Sequence, residues 1–174
     1  MRHRFMPPLI GLLALMMSPL LWASNGISGY WLKETEDPHK SAVIEIYADG
    51  ASFDGRIVRL RHPSFVKGEK SSTGDVVPDS MVGQVKADVL NPDPSLRSRP
   101  IQGLKLIEGF KPQDSNVWAD ATIYNPEDGK TYTCKATLSK DGRTLKVRGY
   151  VGVPMLGRTQ TWTRVASPQS LGWE

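Results

Sequence analysis

The groups in this sequence that could do chemistry are best judged by their spacing. Asn125-Pro126-Glu127-Asp128-Gly129 gathers oxygen donors around a glycine, which is the composition of a calcium loop. Such a loop also needs donors at alternate positions and a glutamate about six residues past its glycine. Lys130-Thr131-Tyr132-Thr133-Cys134-Lys135 follows instead, so the run reads as a hairpin turn. Asp88, Asn91 and Asp93 could also gather a cation, but the interleaved prolines explain their segment as a loop. No metal is assigned. His39 and His62 stand beside Pro38 and Pro63, outside any zinc spacing, and His3 belongs to the amino-terminal stretch. The single cysteine, Cys134, alternates with Tyr132, Ala136 and Leu138, the place of a small buried apolar residue. Asp120 and Glu108 are a conceivable acid and base pair, yet nothing nearby completes a site, and the sequence carries no G-x-S-x-G elbow. The expectation is a protein that is not an enzyme and needs no cofactor.

Two further groups point to binding. Arg56, Arg59, Arg61, His62, Lys67 and Lys70, with Arg97 and Arg99 farther along, form a basic segment. It suits an anionic envelope component such as lipid, polysaccharide or an acidic protein, and equally a solvated surface. The second group is Arg148–Arg164, RGYVGVPMLGRTQTWTR. Arg158, Gln160 and Trp162 fall on one face of a strand, a polar and aromatic row suited to a ligand head group if that face points inward. Ahead of it, Gly149–Gly157 is too rich in glycine and proline for a regular strand, and its apolar side chains suit a loop folded over one mouth of a barrel.

The elements that must position these groups are strands. Apolar residues recur with a period of two, and Asp-Gly or Pro/Asn turns punctuate them. The reading is strands at 28–33, 42–48, 52–60, 104–110, 117–124, 131–138, 144–151 and 158–164, with Asp49-Gly50 as a tight hairpin. Strand five leaves its inner face open: Val117, Ala119, Ala121 and Ile123 alternate with Trp118, Asp120, Thr122 and Tyr124. A meander of about eight strands has two bare edges unless the first strand pairs with the last. The fold class is therefore all-β, a single antiparallel up-and-down β-barrel of about eight strands. One long loop, 62–100, separates strands three and four, and Asp79–Leu90 could form one short helix within it.

The chain opens with Arg2 and Arg4 ahead of an apolar run from Leu9 to about Leu21, then Ala23. That order describes a signal peptide over residues 1–23, too short to span a bilayer, followed by one domain over 24–174. Losing Arg2 and Arg4 lowers the formal net charge from +4 to +2, too mild to argue for nucleic acid. The expected address is periplasmic or secreted, with no membrane span after processing. One cysteine excludes a disulfide within the chain, so burial must carry stability.

Gly29-Tyr30-Trp31 on the first strand, with Trp162 and Arg164 on the last, resembles the lipocalin and calycin pattern. There a tryptophan of the first strand is covered by an arginine of the final one, and the resemblance implies that Gly29, Trp31 and Arg164 close the barrel. More specifically, NPDPSLRSRPIQGLKLIEGF, IYNPEDGKTY and LKVRGYVGVPMLGRTQTWTR resemble the secreted bacterial Domain of Unknown Function 2147 family. That resemblance implies a lipocalin-like barrel and a bacterial envelope or extracellular address, without a settled activity.

The function expected is an exported lipocalin-like protein that binds a small, partly apolar (amphipathic) ligand. Arg158 would anchor the ligand, and Trp118, Tyr124, Tyr150 and Trp162 would line its site. The alternative is a cell-envelope interaction module that uses the basic loop surface and has no ligand cavity.

Overall fold

The computed structural model describes residues 26–71 and 74–173. The signal-peptide reading of 1–23 lies outside the described residues. Eight antiparallel strands follow one another around a closed barrel: β1 (Gly29–Lys33), β2 (Ala42–Asp49), β3 (Ser52–Leu60), β4 (Lys105–Asp114), β5 (Val117–Asn125), β6 (Lys130–Leu138), β7 (Thr144–Tyr150) and β8 (Arg158–Val165). Closure is made by β1 against β8, where Trp31 lies opposite Arg164 and Leu32 opposite Thr163. No bare sheet edge is left, which removes the template for pairing with another chain.

Because the strands run up and down, the loops alternate between two ends. At one end lie the first residues of β1, the last of β8 and the β6–β7 turn. At the other lie the β1–β2, β3–β4, β5–β6 and β7–β8 connections. The bore holds Trp31, Trp162, Phe110, Ile44, Ile46 and Leu145, all buried, with Cys134 and Ala136 as the small residues between them. Burial pushes the Cys134 thiol up to about 12, so it stays neutral and unreactive at physiological pH.

Strand β5 departs from simple alternation. Trp118 pairs with Ala136 and Ala121 with Cys134, so three steps on β5 face two on β6. This bulge is centred on Asp120, which has a φ of +60°. The extra residue switches the strand from one of its two apolar phases to the other. Trp118 and Ala121 therefore both join the core, Ile123 packs against it, and Tyr124 turns outward.

Among its described residues, the long connection from β3 to β4 carries only three-residue 3₁₀ turns at Asp79–Met81 and Pro94–Leu96, where one short helix was expected over 79–90. Gly83, with a φ of +85°, breaks any helical run through 79–90, and Pro92 and Pro94 restrict the chain beyond it. The loop is fastened by buried charges. Lys86 meets Glu69 at 2.7 Å with both side chains almost wholly covered, and the fully buried Asp88 meets Arg99 at 2.9 Å.

Candidate functional site

The end where β1 begins is sealed. The Arg164 guanidinium lies 4.2 Å from the Trp31 ring centroid. It donates to the carbonyls of Gly142 (2.6 Å), Ser28 (2.8 Å) and Gly26 (2.7 Å). Trp31 Nε1 donates to Ile27 O at 2.9 Å. Gly29 is required beneath this stack, because its φ is +129° and an added Cβ would sit 2.8 Å from Arg164 Nη1.

The opposite end is not filled in the same way. On β8, Trp162, Gln160 and Arg158 share the inward face, opposite Leu145, Val147 and Gly149 of β7. Trp162 is completely buried and donates through Nε1 to Gln160 Oε1 at 3.2 Å. Gln160 and Arg158 are exposed despite facing inward, so the barrel opens to solvent above Trp162. The wall beside them is low, because Gly149 has no side chain and a Cβ there would only just touch Ile123 and Tyr132. The Tyr132 hydroxyl donates to Asp128 Oδ2 at 2.6 Å, and that bond raises its pKa while the nearby charge of Arg158 works against it.

Lys33 completes this mouth. It shares the inward face of β1 with Trp31, pairs with Ala42 of β2, and lies one residue beyond the Leu32–Thr163 pair, level with Trp162. Burial drives its ammonium pKa down. Glu127 partly offsets the effect and Lys40 adds to it. Lys40 itself contacts Glu127 at 3.4 Å and donates to Ser71 O. The Lys33 ammonium makes no hydrogen bond or ion pair with any described residue.

The residues expected to line a ligand site are not all brought together. Arg158 stands at the mouth and Trp162 forms its floor. Trp118 lies in the core, and its Nε1 has no acceptor among the described residues. Tyr124 faces outward and donates to Asp88 Oδ1 at 2.6 Å, fastening the long loop. Tyr150 is on the outer face of β7, one residue beyond the inward Gly149. Lys33 and Tyr132 take the places left by these aromatics. The only sequence sign of Lys33 was its alternation with Gly29 and Trp31.

Much of the expected basic patch is already engaged. Arg56 pairs with Glu45 at 2.7 Å and Arg97 Nε donates to Asn91 O. Arg99 is held by Asp88, and Arg59 by the carbonyls of Pro168 and Trp173. The surface beside it carries a shallow depression of about 500 Å³ between Tyr30, Arg56, Gln102 and Pro168, outside the barrel wall. The Gly149–Gly157 loop, expected to fold over a mouth, instead points its apolar side chains away from the barrel: Val151, Val153, Met155 and Leu156 are all exposed. Arg148, on the outer face of β7, holds it there through bonds to Pro154 O, Met155 O and Thr159 Oγ1.

Comparison with solved structures places this barrel beside one described as protein HP1028 from the human pathogen Helicobacter pylori, which belongs to the lipocalin family. The TM-score is 0.63 at 23% identity, over 84% of this chain and 87% of that one. At that identity the likeness is one of fold: both are lipocalin-like barrels. Comparison with curated proteins gave no match. Residues 29–164, which run from the glycine under the closing stack to the arginine that forms it, match the bacterial family described as uncharacterized protein conserved in bacteria (DUF2147), and the chain belongs to that family.

Proposed function

We propose that this protein binds a small, partly apolar ligand through the open mouth of its barrel, with an anionic group of the ligand set between Lys33 and Arg158. The observation that carries the reading is Lys33. Lys33 faces into the bore, half-buried, and its ammonium has neither a hydrogen bond nor an ion pair among the described residues, the Glu127 carboxylate acting on it only from farther off. An amine desolvated without a partner costs stability, and such a cost is sustained where a ligand supplies the missing charge. Trp162 beneath it offers an apolar floor, and Gln160 and Arg158 are accessible at the rim. The basic-loop alternative is weaker, because several of its cations are engaged within the chain.

The test is titration with 1-anilinonaphthalene-8-sulfonate, an apolar fluorophore with an anionic end, against the parent, Lys33→Met and Arg158→Ala. Charge-assisted hydrogen bonds contribute about 1.5–3 kcal/mol, so each variant is expected to bind the probe roughly ten- to a hundredfold more weakly. Lys33→Met should lose no stability, since it removes a desolvated ammonium. The pH dependence has a fixed sign. The folded-state pKa of Lys33 lies below its ordinary 10.5, so its cost to the empty protein is absent above that value, grows as pH falls, and is complete below the folded pKa. Lys33→Met removes this slope. Probe binding equal to the parent in both variants would reject the site.

We further read the protein as exported to the periplasm or medium, supported by Arg2, Arg4 and the apolar run that ends near Leu21. The expected amino terminus of protein recovered from those compartments is Ser24, and recovery of chains that still begin at Met1 would reject it.

A further inference from the structure

The β7–β8 connection exposes more apolar surface than a loop of its size ordinarily does. Val151 is 70% exposed, Val153 54%, Met155 89% and Leu156 81%. Single exposed apolar side chains are common, but four within six residues make a contiguous patch. The exposure is built into the loop. Besides the three bonds from Arg148, Leu156 N donates to Val153 O at 3.2 Å and Gly157 N to Pro154 O at 3.1 Å, closing a 3₁₀ turn. Gly157 lets the chain fold back, because a Cβ there would lie 2.5 Å from Gly149 O and 2.8 Å from Tyr150 Cβ. The backbone groups are satisfied inward, and the apolar side chains are directed out.

The outer face behind this tip has one sign of charge. Along β6, β7 and β8 the outward positions alternate against the buried Cys134, Ala136, Leu145, Val147 and Trp162. They hold Lys135 beside Arg148, Lys146 between Thr137 and Thr161, and otherwise threonines with Tyr150 and Val165, without a carboxylate. No Asp or Glu occurs between Asp141 and Glu174. The bonds made by Arg148 go to neutral oxygens, so its charge is not cancelled, and Lys135 and Lys146 form no ion pair with a described residue.

We infer that the β7–β8 loop docks the barrel onto an anionic lipid surface, with Met155 and Leu156 entering the acyl boundary and Lys135, Lys146 and Arg148 above the headgroups. An apolar tip flanked by cations is the chemistry that holds proteins at a lipid interface. The charge pattern argues against a second copy of the chain as the occupant, since it would set these cations against their own kind. This proposal stands apart from the ligand reading, because none of these residues lines the mouth.

The experiment is flotation of the purified chain with vesicles of phosphatidylglycerol and phosphatidylethanolamine, compared with phosphatidylcholine alone. Parent, Met155→Asp/Leu156→Asp and Lys135→Glu/Lys146→Glu proteins are run together. All are recovered from the same compartment in the same processed form, so the comparison isolates the substituted side chains. The parent is expected to float with the anionic vesicles and about tenfold less with the zwitterionic ones, a preference that added salt removes. Each double variant should lose about tenfold in partition at an unchanged melting temperature, because its substituted side chains point outward. Equal flotation of parent and variants, or of the parent with both lipids, overturns the proposal. So does a parent dimer that Met155→Asp/Leu156→Asp converts to monomer, which would identify a second copy as the occupant.

Discussion

Trp31→Ala is expected to lower the unfolding free energy by about 3–5 kcal/mol, the range for truncating a buried large aromatic side chain. Domains of this kind are stable by roughly 5–15 kcal/mol in all, so this one change removes a large share. The structural reason is that Trp31 serves three neighbours at once. It fills the bore, donates from Nε1 to Ile27 O, and offers its face to Arg164 at 4.2 Å. Arg164 joins the start of β1 to the β6–β7 turn through Gly26, Ser28 and Gly142, so loss of the indole leaves a guanidinium fastened over a hole. Arg164→Ala should cost less, because that side chain is partly exposed and water replaces some of its bonds. The double variant should fall short of the sum of the two, since residues in contact couple by roughly 0.5–3 kcal/mol. Urea unfolding followed by tryptophan fluorescence and circular dichroism measures all three. Additive losses, or a Trp31→Ala midpoint equal to the parent's, would show that the stack is not what closes this end.

The contrast between the two ends explains what the sequence could disclose. Strand positions and hairpin turns were legible because short antiparallel strands leave an alternation of period two and Asp49-Gly50 permits only a tight reversal. Closure was legible from the need to cover two edges, and its residues from the Gly29, Trp31 and Arg164 pattern. The inner face of β5 was not. The bulge at Asp120 places both phases of the alternation in one strand, so Trp118 is right in one phase and Ala121 and Ile123 in the other. The same switch turns Tyr124 outward, away from the mouth where its aromatic character suggested it. Lys33 was overlooked for another reason: in GYWLK it is an unremarkable strand residue until the closing register sets it level with Trp162, 129 positions away in sequence number. The β3–β4 loop offered no apolar period, because buried ion pairs and a few isolated apolar contacts, at Val77 and Ile101, fix it.

That loop carries the second large effect expected. Asp88 is wholly buried. Its Oδ2 accepts from Arg99 Nε at 3.0 Å, Arg99 Nη2 at 2.9 Å and Asn91 Nδ2 at 2.7 Å, and its Oδ1 accepts from the Tyr124 hydroxyl at 2.6 Å. Hydrogen bonds to a charged group contribute about 1.5–3 kcal/mol each, so Asp88→Ala should cost the loop at least about 3 kcal/mol. The guanidinium it leaves behind is part exposed and regains some hydration, which keeps the loss below the full sum. The barrel pairs its strands without the loop, so the global melting temperature should fall far less than the local stability. Hydrogen exchange of the amides from 86 to 101 is therefore the direct measurement, and acceleration confined to that stretch is the expected result. Tyr124 supplies a second readout. Burial, with the bond to Asp88, pushes its phenol up to about 12. The stabilisation linked to it is therefore present below the ordinary tyrosine value of about 10 and lost as pH rises through 12. In Asp88→Ala the Tyr124 absorbance titration should move down toward 10 as its acceptor disappears. Asp88→Asn separates charge from shape, because it keeps the volume but presents an amide to Arg99; it should open the loop nearly as much. Unchanged exchange between 86 and 101, together with an unmoved Tyr124 titration, would mean that the loop is held by its backbone bonds and not by this carboxylate.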